Sequence, residues 1–296
     1  MPEATRPHAR LATALLAAHV ALIAFSTLAL TTILARPDHP LRLTPFAAQV
    51  MPIAWKYSGM TYVVLGALAA LAHLTGRIGA RRAAALFAIS SGIALGSELL
   101  GTSTGYPFGG YSYTPLLGWR IAGLVPFPIP VSWFYMLYGA LAICARLLPA
   151  RDDRATLWRW SLVAGLVLTA WDVSMDPAMV KTAHWVWHEP GAFYGMPLSN
   201  FAGWILTGTV IARVMLAIVP PTAMAAALRD ARLPLVLYAV NGVMPVAICL
   251  RDGLWWAAGL GTLAMVIPLT LALGFRPWAL GQVGWTIGRG PRAEGR

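Results

Sequence analysis

The strongest constraint on this chain is a succession of apolar stretches of about 20 residues each, the length an α-helix needs to cross a bilayer. They run near 11–35, 55–75, 83–101, 121–146, 157–176, 199–219, 234–250 and 254–275. Hydrocarbon offers no partner to backbone N–H and C=O groups, so stretches of this kind must pair their own backbone as helices. The fold expected is all-α: a polytopic integral membrane helical bundle with about 8 transmembrane helices. The stretch at 234–250 is short and carries Asn241 and Pro245, which leaves a count of seven open.

Composition agrees. Of the 296 residues, 58% are hydrophobic and 11% charged, against roughly a quarter charged in an ordinary soluble domain, so a soluble enzyme is excluded. The net charge of +11 would prompt a search for a nucleic-acid face in a soluble chain, but here the basic residues lie between apolar stretches. Cytoplasmic connections collect Lys and Arg, and alternate connections of an eight-span chain divide the 22 basic residues unevenly. One side takes 16; the other takes only Arg36, Arg42, Lys56, Arg120, Lys181 and Arg251. The topology expected is both termini cytoplasmic, in a multi-pass protein of the cytoplasmic (inner) membrane.

The first stretch is too long for a typical signal-peptide core, and the charge alternation holds only if it is retained. The expected organisation is a short basic segment at 1–10, one transmembrane domain at 11–275 and a basic tail at 276–296. Cys144 and Cys249 both lie in apolar stretches, which supplies neither a disulfide framework nor a thiolate metal cluster.

Of the 11 acidic residues, eight fall in connections or termini; Glu98, Asp172 and Asp176 do not. An ionisable group at membrane depth costs about 2.5–3.5 kcal/mol on insertion scales and so marks a polar cavity and a function. Asp172 and Asp176 are four residues apart, which puts both on one helical face. Two such neighbours resist joint ionisation, so the pair is expected to hold one proton beside a carboxylate, the arrangement of general acid/base chemistry. Two plainer readings stay open: Asp176, which precedes Pro177, as a helix terminator or cap, and Glu98 as half of a salt bridge to Arg120. Under the charge-derived orientation all three acids share the non-cytoplasmic half.

The connections at that end are rich in glycine and aromatics: Gly105-Tyr106-Pro107-Phe108-Gly109-Gly110-Tyr111-Ser112-Tyr113, and His184-Trp185-Val186-Trp187-His188-Glu189-Pro190-Gly191. Such residues build flat apolar walls and let backbone approach a ligand, although an interfacial aromatic belt would look similar. His184 and His188 have a metal-ligand spacing if their segment is helical; interfacial histidines are the simpler reading, and no metal is expected. The fourth stretch opens with Pro126, Pro128 and Pro130, then Trp133 and Tyr135. A regular helix does not hold all three prolines, and broken backbone at membrane depth requires cover by protein or a cavity. Asn200 and Trp204 add polar and aromatic groups to the same end.

Three blocks within residues 96–205 resemble the CruF family of integral-membrane carotenoid hydratases. They are Gly105-Tyr106-Pro107-Phe108-Gly109 through Tyr113 with Leu117-Gly118; Val125-Pro126 through Pro130 with Trp133-Phe134-Tyr135-Met136; and Trp171-Asp172 with Met175-Asp176-Pro177, continuing through Trp185-Val186-Trp187 to Asn200-Phe201 and Gly203-Trp204. The first fifty residues and those after about 220 match only in hydrophobicity. The resemblance implies hydration of the terminal C1=C2 bond of an acyclic carotenoid end, such as that of lycopene, γ-carotene or a C50 bacterioruberin precursor, with no cofactor. The family supplies no residue roles, so these come from the residues themselves. Asp172, Asp176 and Glu98 are the catalytic candidates. Trp171, Tyr106, Tyr111, Tyr113, Trp133, Tyr135, Asn200 and Trp204 are the candidates for lining the substrate site.

Two alternatives stand beside this. Asp172-Val173-Ser174-Met175-Asp176 has a DxxxD spacing that would suit Mg²⁺ on a diphosphate in a UbiA-type intramembrane prenyltransferase, although a second acidic cluster and basic residues near it are lacking. A carotenoid- or lipid-binding or transport protein is the other, since intramembrane acids also serve proton relays. The partners expected are a carotenoid substrate and membrane lipid, with association with other carotenoid-pathway enzymes open and no nucleic acid.

Overall fold

The computed structural model describes residues 6–36, 38–40 and 44–274; the basic tail expected at 276–296 lies outside them. Nine α-helices are found among the described residues: α1 (Arg6–Leu28), α2 (Pro45–Ile78), α3 (Ala80–Thr104), α4 (Pro128–Leu147), α5 (Arg154–Lys181), α6 (Leu198–Ile218), α7 (Pro221–Leu228), α8 (Leu233–Arg251) and α9 (Trp255–Ala272). All except the short α7 are long and apolar enough to span a bilayer, giving eight candidate spans. The protein is a polytopic helical membrane protein. The count of eight includes α8, which carries Asn241 and Pro245 within one continuous helix.

α4 is the axis of the bundle. Every residue from Ser132 to Ala145 is buried, as expected for a helix apolar all round, and α2, α3, α5 and α8 pack about it. α5 and α6 approach closely through glycine: a Cβ on Gly165 would meet Thr209 Oγ1 at 2.6 Å, and one on Gly208 would meet Gly165 Cα at 3.1 Å. Small residues at such crossings let helix backbones pack where no hydrophobic drive separates protein from lipid.

The fourth stretch begins as a helix later than the sequence reading placed it. Residues 121–127 belong instead to a small hairpin in which β2 (Arg120–Ile121) pairs with β3 (Val125–Pro126), turning through Ala122 and Gly123 at positive φ. Pro128 then enters the first turn of α4, where a missing N–H costs nothing. Pro177 does not end α5, which runs on to Lys181. Asp176 therefore neither terminates a helix nor caps the next, whose N-cap position is Pro197.

The two aromatic connections meet. β1 (Tyr111–Tyr113) pairs antiparallel with β4 (Trp185–Trp187), setting Tyr111 opposite Trp187 and Tyr113 opposite Trp185. This ribbon closes one end of the bundle. Because His184 and His188 flank a strand, the helical i, i+4 spacing does not apply to them: His184 Nδ1 meets Thr182 Oγ1 and His188 Nε2 meets Ser112 Oγ, at 2.8 and 2.7 Å.

Candidate active site

Successive strand residues face opposite ways, and the ribbon uses this to aim four aromatic polar tips inward. Tyr111, Tyr113, Trp185 and Trp187 project toward the acids, while Ser112 and Val186, between them, are exposed. The Tyr111 and Tyr113 hydroxyls donate to Glu98 Oε2 at 2.5 and 2.8 Å, and Trp133 Nε1 donates to Oε1 at 3.3 Å. Burial, and then the Glu98 carboxyl beside them, push both phenols well above their ordinary pKa, so they act as donors. Trp185 and Trp187 donate to Asp176 Oδ2 and Oδ1 at 3.2 and 3.0 Å. One strand thus serves Glu98 and the other serves Asp176.

Asn200 links the two aspartates. Its Nδ2 lies 2.8 Å from Asp172 Oδ2 and 3.4 Å from Asp176 Oδ2. Among the described residues no group hydrogen-bonds to Asp172 Oδ1, although the residue is fully buried. Arg120 is not the partner of Glu98; its guanidinium donates to the Tyr113 carbonyl at 3.1 Å.

Most of these groups border a cavity with about 860 Å³ of empty space counted together with its open mouth. Glu98, Asp176, Asn200, Tyr111, Tyr113, Trp133, Tyr135, Trp171 and Trp204 all line it. Asp172 stands one helical turn behind Asp176 and joins the site through Asn200. Tyr106 lies apart, 63% exposed on the turn after α3, where Gly105 at φ 82° ends the helix and turns the chain outward before it re-enters at Phe108. Trp133 and Trp204 stack at 4.3 Å between ring centres with Trp171 edge-on to Trp204, so the wall facing the acids is a bank of indole faces.

Several groups of the site were not picked out in the sequence. Trp185 and Trp187 are the donors to Asp176, and the alternating Tyr-x-Tyr and Trp-x-Trp triplets were the available sign of a ribbon. His19 and Asn241 form a buried network on the far wall. His19 Nδ1 lies 2.6 Å from the Tyr62 carbonyl, which only accepts, so this nitrogen carries the proton and Nε2 accepts from Asn241 Nδ2 at 3.1 Å. Asn241 Oδ1 accepts from the Tyr135 hydroxyl, and its backbone carbonyl from Trp171 Nε1, at 3.2 and 2.9 Å. Five helices are thereby tied around one cavity.

The arrangement concentrates three carboxyl groups, neutral N–H and O–H donors and π-faces in and just behind a largely apolar chamber, with neither Lys nor Arg among the described residues that line it. Comparison with known proteins agrees with this character. A stretch of 115 residues is 37% identical to the bisanhydrobacterioruberin hydratase of Haloarcula japonica, covering 39% of this chain and 38% of that protein's length. No solved structure matches. The family described as carotenoid biosynthesis protein matches residues 58–268, more than half of the sequence and the whole of the cavity except the α1 wall. The chain belongs to the carotenoid biosynthesis protein family.

Proposed function

We propose that the protein is a carotenoid 1,2-hydratase, adding water across the terminal C1=C2 bond of an acyclic carotenoid end to give a tertiary alcohol at C1. The observation that carries the reading is the pairing of acids with an aromatic bank in one chamber: Asp176, linked through Asn200 to Asp172 behind it, and a separate Glu98 border a cavity walled by Trp133, Trp171 and Trp204. The name and activity of the archaeal relative support the same chemistry.

Hydration of a trisubstituted alkene begins with a proton on C2. The Asp172/Asp176 pair, bridged by Asn200, holds one proton. Asp176 receives N–H donors on both oxygens and is well served as a carboxylate, whereas Asp172 receives a single donor and is the member best suited to carry hydrogen. Asp176 alone of the pair faces the cavity, so the proton reaches the alkene from Asp176, and its exchange between the two carboxyls runs through water, since Asn200 Nδ2 donates to both and relays none.

Proton transfer leaves a tertiary cation at C1. Indole faces stabilise a desolvated cation by about 2 kcal/mol or more, and the carboxylates add their charge. Water attacks C1 and passes a proton to Glu98, which the two phenols hold in place. The C2–H and C1–O bonds form as the π-bond and one O–H bond of water break, and return of the proton from Glu98 to the aspartate pair closes the cycle.

A UbiA-type reaction fits less well. The Asp176 oxygens are engaged by indole N–H groups rather than turned outward as ligands, and among the described residues no basic side chain borders the chamber to meet a diphosphate. We place the protein in the cytoplasmic membrane with both termini cytoplasmic, from the 16-to-6 division of basic residues.

The reading is tested by producing the protein in a bacterial host that accumulates lycopene. Pigment heavier by one or two waters, in hydroxyls that resist oxidation as tertiary alcohols do, is the expected result. Unaltered pigment with the protein present in the membrane, for lycopene and for a C50 acyclic carotenoid alike, would overturn it.

A further inference from the structure

A second cavity, with about 1270 Å³ of empty space counted together with its open mouth, adjoins the first. The two share Tyr62, Leu117, Met179 and Met244 as walls. The second runs between the end of α1 and the first half of α2, bounded by residues such as Phe25, Leu30, Leu34, Phe46 and Met51, and among the described residues none that line it is Asp, Glu, Lys or Arg. α1 departs from α-helical geometry at this wall: Ala29–Ile33 form a π-helical turn, a local widening that recurs at functional sites. Arg251, at the end of α8, donates to the Leu30 carbonyl at 2.7 Å and fixes that turn. Gly59, on α2, also borders the space, and a Cβ there would meet only Leu117 Cδ2, at 4.0 Å.

We propose that this second cavity is the berth of the carotenoid's polyene chain, with the acid chamber receiving only its reacting end. The inference rests on the hydratase reading and deepens it. The bond to be hydrated is at the tip of a rigid apolar rod about as long as the hydrocarbon core is thick, roughly 30 Å. The acid chamber is capped by the ribbon on one side, so the remainder of the rod must leave by an apolar route continuous with the chamber. The α1–α2 cavity lies against the chamber across Tyr62, Leu117, Met179 and Met244, and in the proposal these side chains, two of them adaptable methionines, part to let the rod through. Specificity for a long acyclic chain then resides in α1 and α2, away from the reacting groups.

The test is binding of lycopene to the purified protein in detergent, read by the visible circular dichroism that an achiral polyene acquires only in an asymmetric site, alongside product formation. Gly59→Trp fills the berth. Gly92→Trp, on α3 where an added Cβ meets nothing within 4 Å, is the control for added bulk. Wild type and Gly92→Trp are expected to bind alike, and Gly59→Trp at least tenfold more weakly. If Gly59→Trp does not accumulate, Ala54→Phe adds bulk to the same wall and is held to the same expectation. Equal binding by the filled variant would overturn the berth even where wild type makes hydrated product. Absence of a signal from wild type would overturn it too. Binding that weakens as expected with no product from wild type would sustain the berth and count against hydration instead.

Discussion

The two ends of the bundle treat polar groups in opposite ways. At the end away from the ribbon, polar side chains finish backbone: Asp153 Oδ1 accepts from Thr156 N and caps α5, Arg146 donates to the carbonyls of Leu228 and Ala231, and Arg229 donates to that of Ala145. Helix ends leave orphan N–H and C=O groups, and these contacts satisfy them. At the ribbon end the acids receive side-chain donors instead, from Tyr111, Tyr113, Trp133, Trp185, Trp187 and Asn200. A polar residue that closes a helix end is accounted for by the fold. Three carboxyls within membrane-spanning helices, served by six neutral donors, are not, and on that difference we propose the ribbon end as the site of function.

The sharpest way to break the comparison is to remove the acids. Asp172→Asn and Asp176→Asn should each lower hydration by about 10²- to 10⁴-fold, the usual worth of a general acid, while the protein still accumulates in the membrane; product at wild-type level from either variant would remove that residue from the proton path. Glu98→Gln should cost about 10²-fold in turnover and, because Tyr111 and Tyr113 retain an acceptor, leave the ribbon closed to protease. A smaller effect is expected of Trp187→Phe, which deletes one donor to Asp176 and keeps the ring; loss of a hydrogen bond to a charged group, about 1.5–3 kcal/mol, corresponds to roughly a tenfold or greater fall in turnover.

Asp153→Ala should do the reverse of all of these. It should lower thermal stability slightly, with turnover per folded molecule unchanged. The Thr156 N–H bonds hold the Asp153 carboxyl below its ordinary 3.8, so its contribution is present at neutral pH and lost only as pH falls through that lowered value. The ribbon end should loosen sooner. Burial pushes His184, which follows α5, down from 6.5 to about 4; an opened segment takes up its proton at the higher value, so stability there falls as pH drops from 6.5 toward 4. Proteolysis within 183–197, followed across that range, checks the smallest of these effects.

How much of this was legible in the sequence follows the same division. Spans are written in hydropathy, so α2, α3, α5 and α6 stand close to where apolar length puts them, and the expense of a carboxyl in lipid singles out Glu98, Asp172 and Asp176 without a structure. Contacts made across long sequence separations were hidden. Asn241 reads as a flaw in a short span because its partner His19 is 222 residues away. The β1–β4 ribbon is made of two triplets, too short for a period-two pattern to stand out beside glycine-rich neighbours, so Tyr111 and Tyr113 read only as wall and Trp185 and Trp187 were passed over as donors. Tyr106 looked equivalent to Tyr111, yet it sits on the outward part of the turn. That Asp176 fronts the cavity and Asp172 stands behind it is a matter of helix rotation, which a four-residue spacing does not specify.

The central claim is that the aspartate pair protonates C2 before water enters at C1. It is tested most directly by incubating purified protein with an acyclic carotenoid in D₂O enriched with ¹⁸O and locating the labels in the product by mass spectrometry and NMR. The account predicts one deuterium at C2 and one ¹⁸O in the C1 hydroxyl for every end converted, both absent with Asp176→Asn. A hydroxylated product without deuterium at C2, or with oxygen drawn from O₂ rather than water, would contradict it.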